Sequence, residues 1–158
     1  WGLVGRLSGL VPLVGLTSGR CFAGNAAVLG CCDVIIATEG SNIGMGGPAM
    51  IEGGGLGVVA PDEVGPLHVQ RANGVVDIVA RDEAEAVELA KQYLSYFQGP
   101  LLGDLQAGCA DQRVLRDMVP SNRVRVYDMR PIIETLADTG SWLEFRRGYG
   151  VGGITGLA

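Results

Sequence analysis

Residues 13–59, LVGLTSGRCFAGNAAVLGCCDVIIATEGSNIGMGGPAMIEGGGLGVV, hold two apolar strand candidates and the densest glycine of the 158-residue chain. Leu13 to Leu16 is a short β-rich run, broken at Ser18-Gly19-Arg20. From Ala23 small residues return every three or four positions, so the order reads strand, turn, helix. Ala23, Ala26, Ala27 and Gly30 share one helical face with little bulk, and this helix can lie close to a sheet or to a ligand. It starts at Gly24-Asn25. First-turn N–H groups have no intrahelical acceptor and sit at the positive end of the helix dipole, so they can donate to an anion or to a carbonyl becoming one. That is the recipe for an oxyanion hole, and glycine there keeps the donors open to approach. The same glycine also serves tight packing of helix on sheet, and spacing alone does not separate the two roles.

Cys31 to Thr38 runs apolar and β-branched without alternation, which predicts a strand covered on both faces, with Cys31 and Cys32 on opposite sides. The glycine run that follows, Ile43 to Gly57, is expected to be a loop that approaches a ligand or folds in tight turns. It lacks the lysine of a P-loop, and no spacing in it sits between a strand and a helix as a dinucleotide fingerprint requires.

Three strings, GRCFAGNAAVLGCCDVIIAT, IGMGGPAMIEGGGLG and NGVVDIVARDEAEAVELAKQYLSYFQG, resemble the carboxyltransferase component of biotin-dependent acyl-CoA carboxylases. The resemblance continues through DQRVLRDMVPSNRVRVYDMRPIIETLADTGSWLEFRRGYG and covers essentially the whole chain. It implies an α/β, crotonase (ClpP-like) fold. Residues 1–98 would be the later part of an N-terminal half, 99–122 a linker, and 123–158 the first elements of a C-terminal half. A start at Trp1 and an end inside an apolar run fit a piece of a longer protein, one expected to be inactive without the rest.

Composition narrows the class. The formal net charge is −5, and no basic cluster exceeds Arg146-Arg147, which argues against a nucleic-acid partner. No apolar run reaches the roughly 18 residues of a membrane span. Four cysteines without CxxC spacing and a single histidine, His68, favour reduced thiols over disulfides or zinc. His68 has no carboxylate or nucleophile near it in sequence, so a structural role is the commoner reading.

Further along, Trp1 to Leu10 has helical spacing, Pro61 to Pro66 reads as a capped helical turn, and Leu67 to Gln70 as extended. Asn73-Gly74 turns into a strand over Val75 to Ala80. Asp82 with Glu85 predicts a capping box opening the clearest helix, whose stripe is Ala86, Leu89, Ala90, Tyr93, Leu94 and Phe97. Gly99-Pro100 is expected to end it. Asp111 to Val119 adds a helical turn or two. Then come an extended VRVYD, a helix over Pro131 to Ala137 with Pro131 suited to its first turn, and strands over Trp142 to Phe145 and Ile154 to Leu157.

No Ser-His-Asp set, nucleophile elbow or paired carboxylate stands out, so the chemistry open to this chain is main-chain donation at Gly24 and Asn25. The resemblance implies how that is used. Carboxybiotin on a separate carrier brings the carboxyl group, the biotin ureido nitrogen takes the acyl-CoA α-proton, and the thioester enolate rests on these donors. Ala23-Gly24 is the alternative pair, because the family often has Gly-Gly where this chain has Gly-Asn. Ala23, Gly44, Gly46 and Gly47 are expected to line the acyl-CoA cleft. The expected partners are a biotin carboxylase, which uses the ATP, a biotin carboxyl carrier and further copies of the chain as a dimer or hexamer. The expected compartment is the cytoplasm, or the mitochondrial matrix in a eukaryote. A second hole facing biotin would lie outside these residues. Two other classes stay open: a crotonase-like hydratase or isomerase, which would need paired Glu beside the hole, and a non-catalytic CoA-binding subunit.

Overall fold

The computed structural model describes residues 1–99 and 108–158. After helix α1 (Gly2–Leu7), strands β1 (Val14–Thr17), β3 (Val34–Thr38) and β5 (Ile78–Ala80) form a parallel sheet in the order β1-β3-β5. β3 is central and every one of its residues is buried. Its unbroken apolar run is explained by period-two alternation with both faces covered. Val34 and Ile36 face a core made with Ile78, Ala80 and helix α5 (Glu83–Ser95). Ile35 and Ala37 face a second core with Cys21, Ile43, Val76 and helix α2 (Gly24–Leu29).

The glycine run is more regular than its composition predicts. It opens in β4 (Asn42–Gly44), which forms a second parallel pair with β2 (Arg20–Phe22), and helix α3 (Pro48–Gly53) begins on Pro48. Pro48 suits a first turn because its missing N–H would have had no partner there. Gly65 fixes the next approach. Its φ is +53, its carbonyl accepts from Ile43 N at 2.8 Å, and a Cβ would stand 1.8 Å from the Ile43 carbonyl oxygen. Only glycine fits.

Three further expectations are corrected. Cys31 and Cys32 lie in the turn after α2, not on a strand. Their thiols donate to Ala27 O (3.3 Å) and, beside the bond from Cys31 N, to Val28 O (3.7 Å), carbonyls in the last turn of the helix. Leu67–Ala72 is a helix, α4, with Pro66 as its extended N-cap. VRVYD (124–128) forms no strand.

α5 starts as expected on Asp82, which accepts from Glu85 N at 2.8 Å. The reciprocal half of the box goes elsewhere: the Glu85 carboxylate takes Arg81 N and Arg81 Nε, which holds its pKa below the usual glutamate value. Ala86, Ala90 and Tyr93 of the stripe are buried, while Phe97 lies beyond the helix, which stops at Ser95. Gly99 follows that end by four residues, and Pro100 lies outside the described residues.

The last third consists of α6 (Leu115–Met118), α7 (Arg130–Leu136) and an antiparallel pair, β6 (Leu143–Phe145) with β7 (Thr155–Leu157). Leu143 enters the α5 core, and Phe145 meets Tyr93 edge-on at 5.9 Å. Arg146 N donates to Asp77 O at 2.7 Å, tying the hairpin to the start of β5.

Candidate functional site at the ends of β2 and β4

β2 and β4 are parallel and adjacent, and each runs within a few residues into a helix, so α2 and α3 both begin at the carboxyl edge of this pair. In α/β folds that edge is where ligands bind. The pairing Phe22↔Gly44 brings the two halves of the predicted site together. Ala23 N donates to Gly44 O at 3.1 Å, continuing the ladder by one residue. Gly44 and Gly47 both lie against the Phe22 ring: a Cβ on either would stand 3.6 or 3.5 Å from it, and on Gly44 also 3.0 Å from Val64. A Cβ on Gly46 would meet Met50 at 3.6 Å.

Ala23, the N-cap of α2, has φ 53 and ψ −123, a conformation that a side chain rarely tolerates. The chain must swing from β2 into α2 at this one residue, and the sheet bond at its N–H and the helix bond from Ala27 N to its carbonyl (3.0 Å) hold it there. Among the described residues the N–H groups of Gly24 and Asn25 donate to nothing. Both residues are exposed, and a Cβ on Gly24 would meet no atom within 4 Å. Ala23 N, by contrast, is already used. Asn25 also borders a groove of about 510 Å³ along the free edge of β1, with Leu16, Thr17 and Cys32.

Strain at Ala23 carries a test. Ala23→Gly should stabilise the chain by about 1 kcal/mol: relief of the strained dihedrals exceeds the extra entropy of a glycine in the unfolded chain. Urea unfolding at constant m-value reads it, and a destabilised Ala23→Gly would show that the backbone here is relaxed.

His68 stands apart, exposed on α4 in a cleft of about 640 Å³ shared with Glu39, Asn42 and Arg71. Among the described residues it has no hydrogen-bonded partner, and no group of three or more His, Cys, Asp or Glu is placed to hold a metal ion. No helix among them is long and apolar enough to cross a membrane. Sequence reasoning passed over Ala23's positive φ, for which an alanine gives no signal. It also passed over Asp77, a buried carboxylate that an apolar strand candidate concealed.

Helices that start at the carboxyl edge of parallel strands, with α5 closing the opposite face, make an α/β domain, and the solved structures that share it are crotonase-like carboxyltransferases. A solved single-chain, multi-domain long-chain acyl-CoA carboxylase superposes with a TM-score of 0.93 at 61% identity over 99% of this chain and 16% of that one. The transcarboxylase 12S hexamer, solved with hydrolysed methylmalonyl-CoA, gives 0.79 at 28% identity over 96% of this chain and 31% of that one. The chain belongs to the carboxyl transferase domain family, whose pattern it matches over residues 4–158. The methylcrotonoyl-CoA carboxylase beta chain, mitochondrial, of Dictyostelium discoideum is 30% identical over 94% of this chain and 26% of its own length. The chain thus spans less than a third of the relatives it matches.

Proposed function

We propose that the protein to which this chain belongs moves a carboxyl group between carboxybiotin and an acyl-CoA of the acetyl or propionyl type. The observation that carries this reading is the pair of unsatisfied N–H groups at Gly24 and Asn25, exposed at the carboxyl edge of β2 and β4 in a carboxyl transferase domain. Family membership supports the reaction class, and the transcarboxylase structure with a bound CoA ester supports the substrate class.

In this reading Gly24 N and Asn25 N donate to the thioester oxygen and hold its charge while the α-carbon is an enolate. The open space over Gly24 fits that role, since nothing of the chain stands between the donors and a ligand. Of the two donor pairs the sequence left open, Gly24-Asn25 is the better supported, because Ala23 N is taken by Gly44 O. Ala23 aims the first turn of α2, and Gly44, Gly46 and Gly47 form the neighbouring wall, which packs on Phe22 and Met50 and where a Cβ on Gly44 would crowd Val64. Carboxybiotin, when bound, supplies the carboxyl carbon and a nitrogen that accepts the α-proton, which is why no side-chain base is required here.

Residues 1–98 and 123–158 are proposed to belong to two successive halves, joined through 99–122, with Leu143, Phe145 and Arg146 among the residues that join them. The partners proposed are a biotin carboxylase, a biotin carrier and further copies of the chain, as in the hexameric 12S relative. The compartment proposed is the cytoplasm or the mitochondrial matrix, one relative being mitochondrial.

The test uses the complete protein with its biotin partner, measuring loss of carboxyl from carboxybiotin as each acyl-CoA is added. Acyl-CoA-dependent turnover is expected. A folded protein that binds CoA but turns over none of the thioesters would leave a non-catalytic CoA-binding subunit as the answer.

A further inference from the structure

At the far end of α2 from Gly24 and Asn25, Cys31 and Cys32 are consecutive free thiols, Cys31 exposed and Cys32 half-buried. On a strand two such neighbours would point to opposite faces. Here Cys31 N donates to Val28 O at 3.0 Å and Cys32 N to Leu29 O at 3.1 Å, so both residues continue the turn of the helix. Each sulfur bends back onto its last turn, Cys31 Sγ at 3.3 Å from Ala27 O and Cys32 Sγ at 3.7 Å from Val28 O. Two neighbouring carbonyls thus hold two neighbouring thiols over the same helix end.

Both sulfurs can be reached. Cys32 lines the groove of about 510 Å³ beside β1, and Gly15 leaves it room there, since a Cβ at that glycine would stand 3.2 Å from Cys32 Sγ. The bonds that hold them are weak, because a thiol is a poor donor and the Val28 carbonyl already takes Cys31 N. Burial, with Cys31 and Asp33 beside it, pushes the Cys32 thiol above its ordinary value, so it stays protonated near neutral pH and is a poor target for reagents that need a thiolate. Among the described residues no third His, Cys, Asp or Glu joins the pair in a metal-holding group. Two sulfurs alone do not complete the four-ligand shell of zinc. They suit a soft centre that needs two sulfurs and brings its remaining bond with it.

We propose that Cys31 and Cys32 form a vicinal dithiol site for monosubstituted trivalent arsenic, with both sulfurs as ligands. Phenylarsine oxide shows the balance. Two As–S bonds replace the bonding of arsenic to oxygen and the two S–H bonds, and the oxide oxygen leaves with both thiol protons as water. Arsenic stays trivalent, so no oxidant or reductant is required. Once the first sulfur is bound, the second is its neighbour on the same chain, and closure of the ring is intramolecular. The other cysteines offer no such pair: Cys21 is buried in the core, and Cys109 is a single exposed thiol. The site lies at the opposite end of α2 from the proposed oxyanion donors and does not depend on the carboxyltransferase reading.

The complete protein, reduced and cleared of reductant, is titrated with phenylarsine oxide while free thiols and mass adducts are counted. One arsenical should bind with the loss of two titratable thiols, and it should survive an excess of 2-mercaptoethanol while 2,3-dimercaptopropanol removes it. Cys31→Ser and Cys32→Ser should each lose that equivalent or hold it at least about tenfold more weakly, because a single As–S bond lacks the effective concentration of the second thiol. Serine keeps a hydroxyl donor toward the same carbonyls, and circular dichroism melts run in parallel; should Cys32→Ser fail to fold, Cys31→Ser and Cys31→Ala decide. Cys109→Ser should bind as wild type does. An adduct that 2-mercaptoethanol strips, that Cys109→Ser removes, or that both Cys31→Ser and Cys32→Ser hold as tightly as wild type, overturns the site.

Discussion

Gly24→Pro in the complete protein should lower kcat by about 10² to 10³, because it deletes one of two donors to a developing oxyanion. The position makes the substitution unusually clean. Gly24 is the first residue of α2, where proline is well tolerated and where the deleted N–H has no acceptor within the chain. Its Cβ would meet nothing within 4 Å, so no packing is lost. One local conflict exists: Ala23 precedes it at ψ −123, outside the extended range that residues before proline prefer. The activity is therefore compared at temperatures where melts show wild type and variant equally folded. Gly24→Ala supplies the counterpart, since it keeps the N–H and fits the same space. It should retain most of kcat, with any loss appearing in KM as the methyl meets the acyl-CoA. If Gly24→Pro turned over like wild type, the donors would have to be sought elsewhere on the edge. If Gly24→Ala fell as far as Gly24→Pro, steric access rather than donation would be what glycine provides.

The sequence showed the frame of this site more clearly than its assembly. β1, β3, β5, α2 and α5 were legible because each rests on local signals: unbroken β-branched runs, small residues at helical spacing, and Asp82 before an apolar stripe. β2 and β4 were not. Each is three residues long and set in glycine-rich chain, and its existence depends on a partner some twenty positions away, as Cys21↔Ile43 shows. That pairing decides the site, since it places Gly44 against Phe22 and uses up the N–H of Ala23. Cys31-Cys32 misled because their β propensity continues the strand pattern, whereas Gly30 ends α2 and the two thiols serve its last carbonyls. Leu67 to Gln70 reads as extended in the sequence, whereas a helix begins at Leu67 and Pro66, which closes the expected helical turn, is the extended residue that caps it. Asp77 illustrates the opposite limit, a polar residue whose partners, Ile35 and Arg146, lie 42 and 69 positions away.

Those distant partners make Asp77 the position where a single substitution should cost the most stability. Its side chain is 8% exposed and does two jobs: one oxygen satisfies the main-chain N–H of Ile35 beside β5, the other pairs with Arg146 at the end of β6. Asp77→Ala strands a part-buried N–H and an arginine together, and should cost about 3 kcal/mol, below the full penalty for breaking a buried pair because Arg146 is half exposed. Asp77→Asn keeps an acceptor for Ile35 and loses the charge, so about 1 kcal/mol is expected. Arg146 separates the pair from the backbone that carries it, since its φ is +54. Arg146→Ala loses the ion pair and keeps the strain, whereas Arg146→Gly loses the ion pair and relieves it. The glycine variant should therefore be the more stable of the two by about 1 kcal/mol. Urea unfolding of the four variants measures the set, and the double variant Asp77→Ala/Arg146→Ala gives the coupling. A cost below roughly 0.5 kcal/mol for Asp77→Ala would mean that water replaces both side-chain bonds and that Leu143, Phe145 and the main-chain bond from Arg146 N to Asp77 O suffice to hold the hairpin.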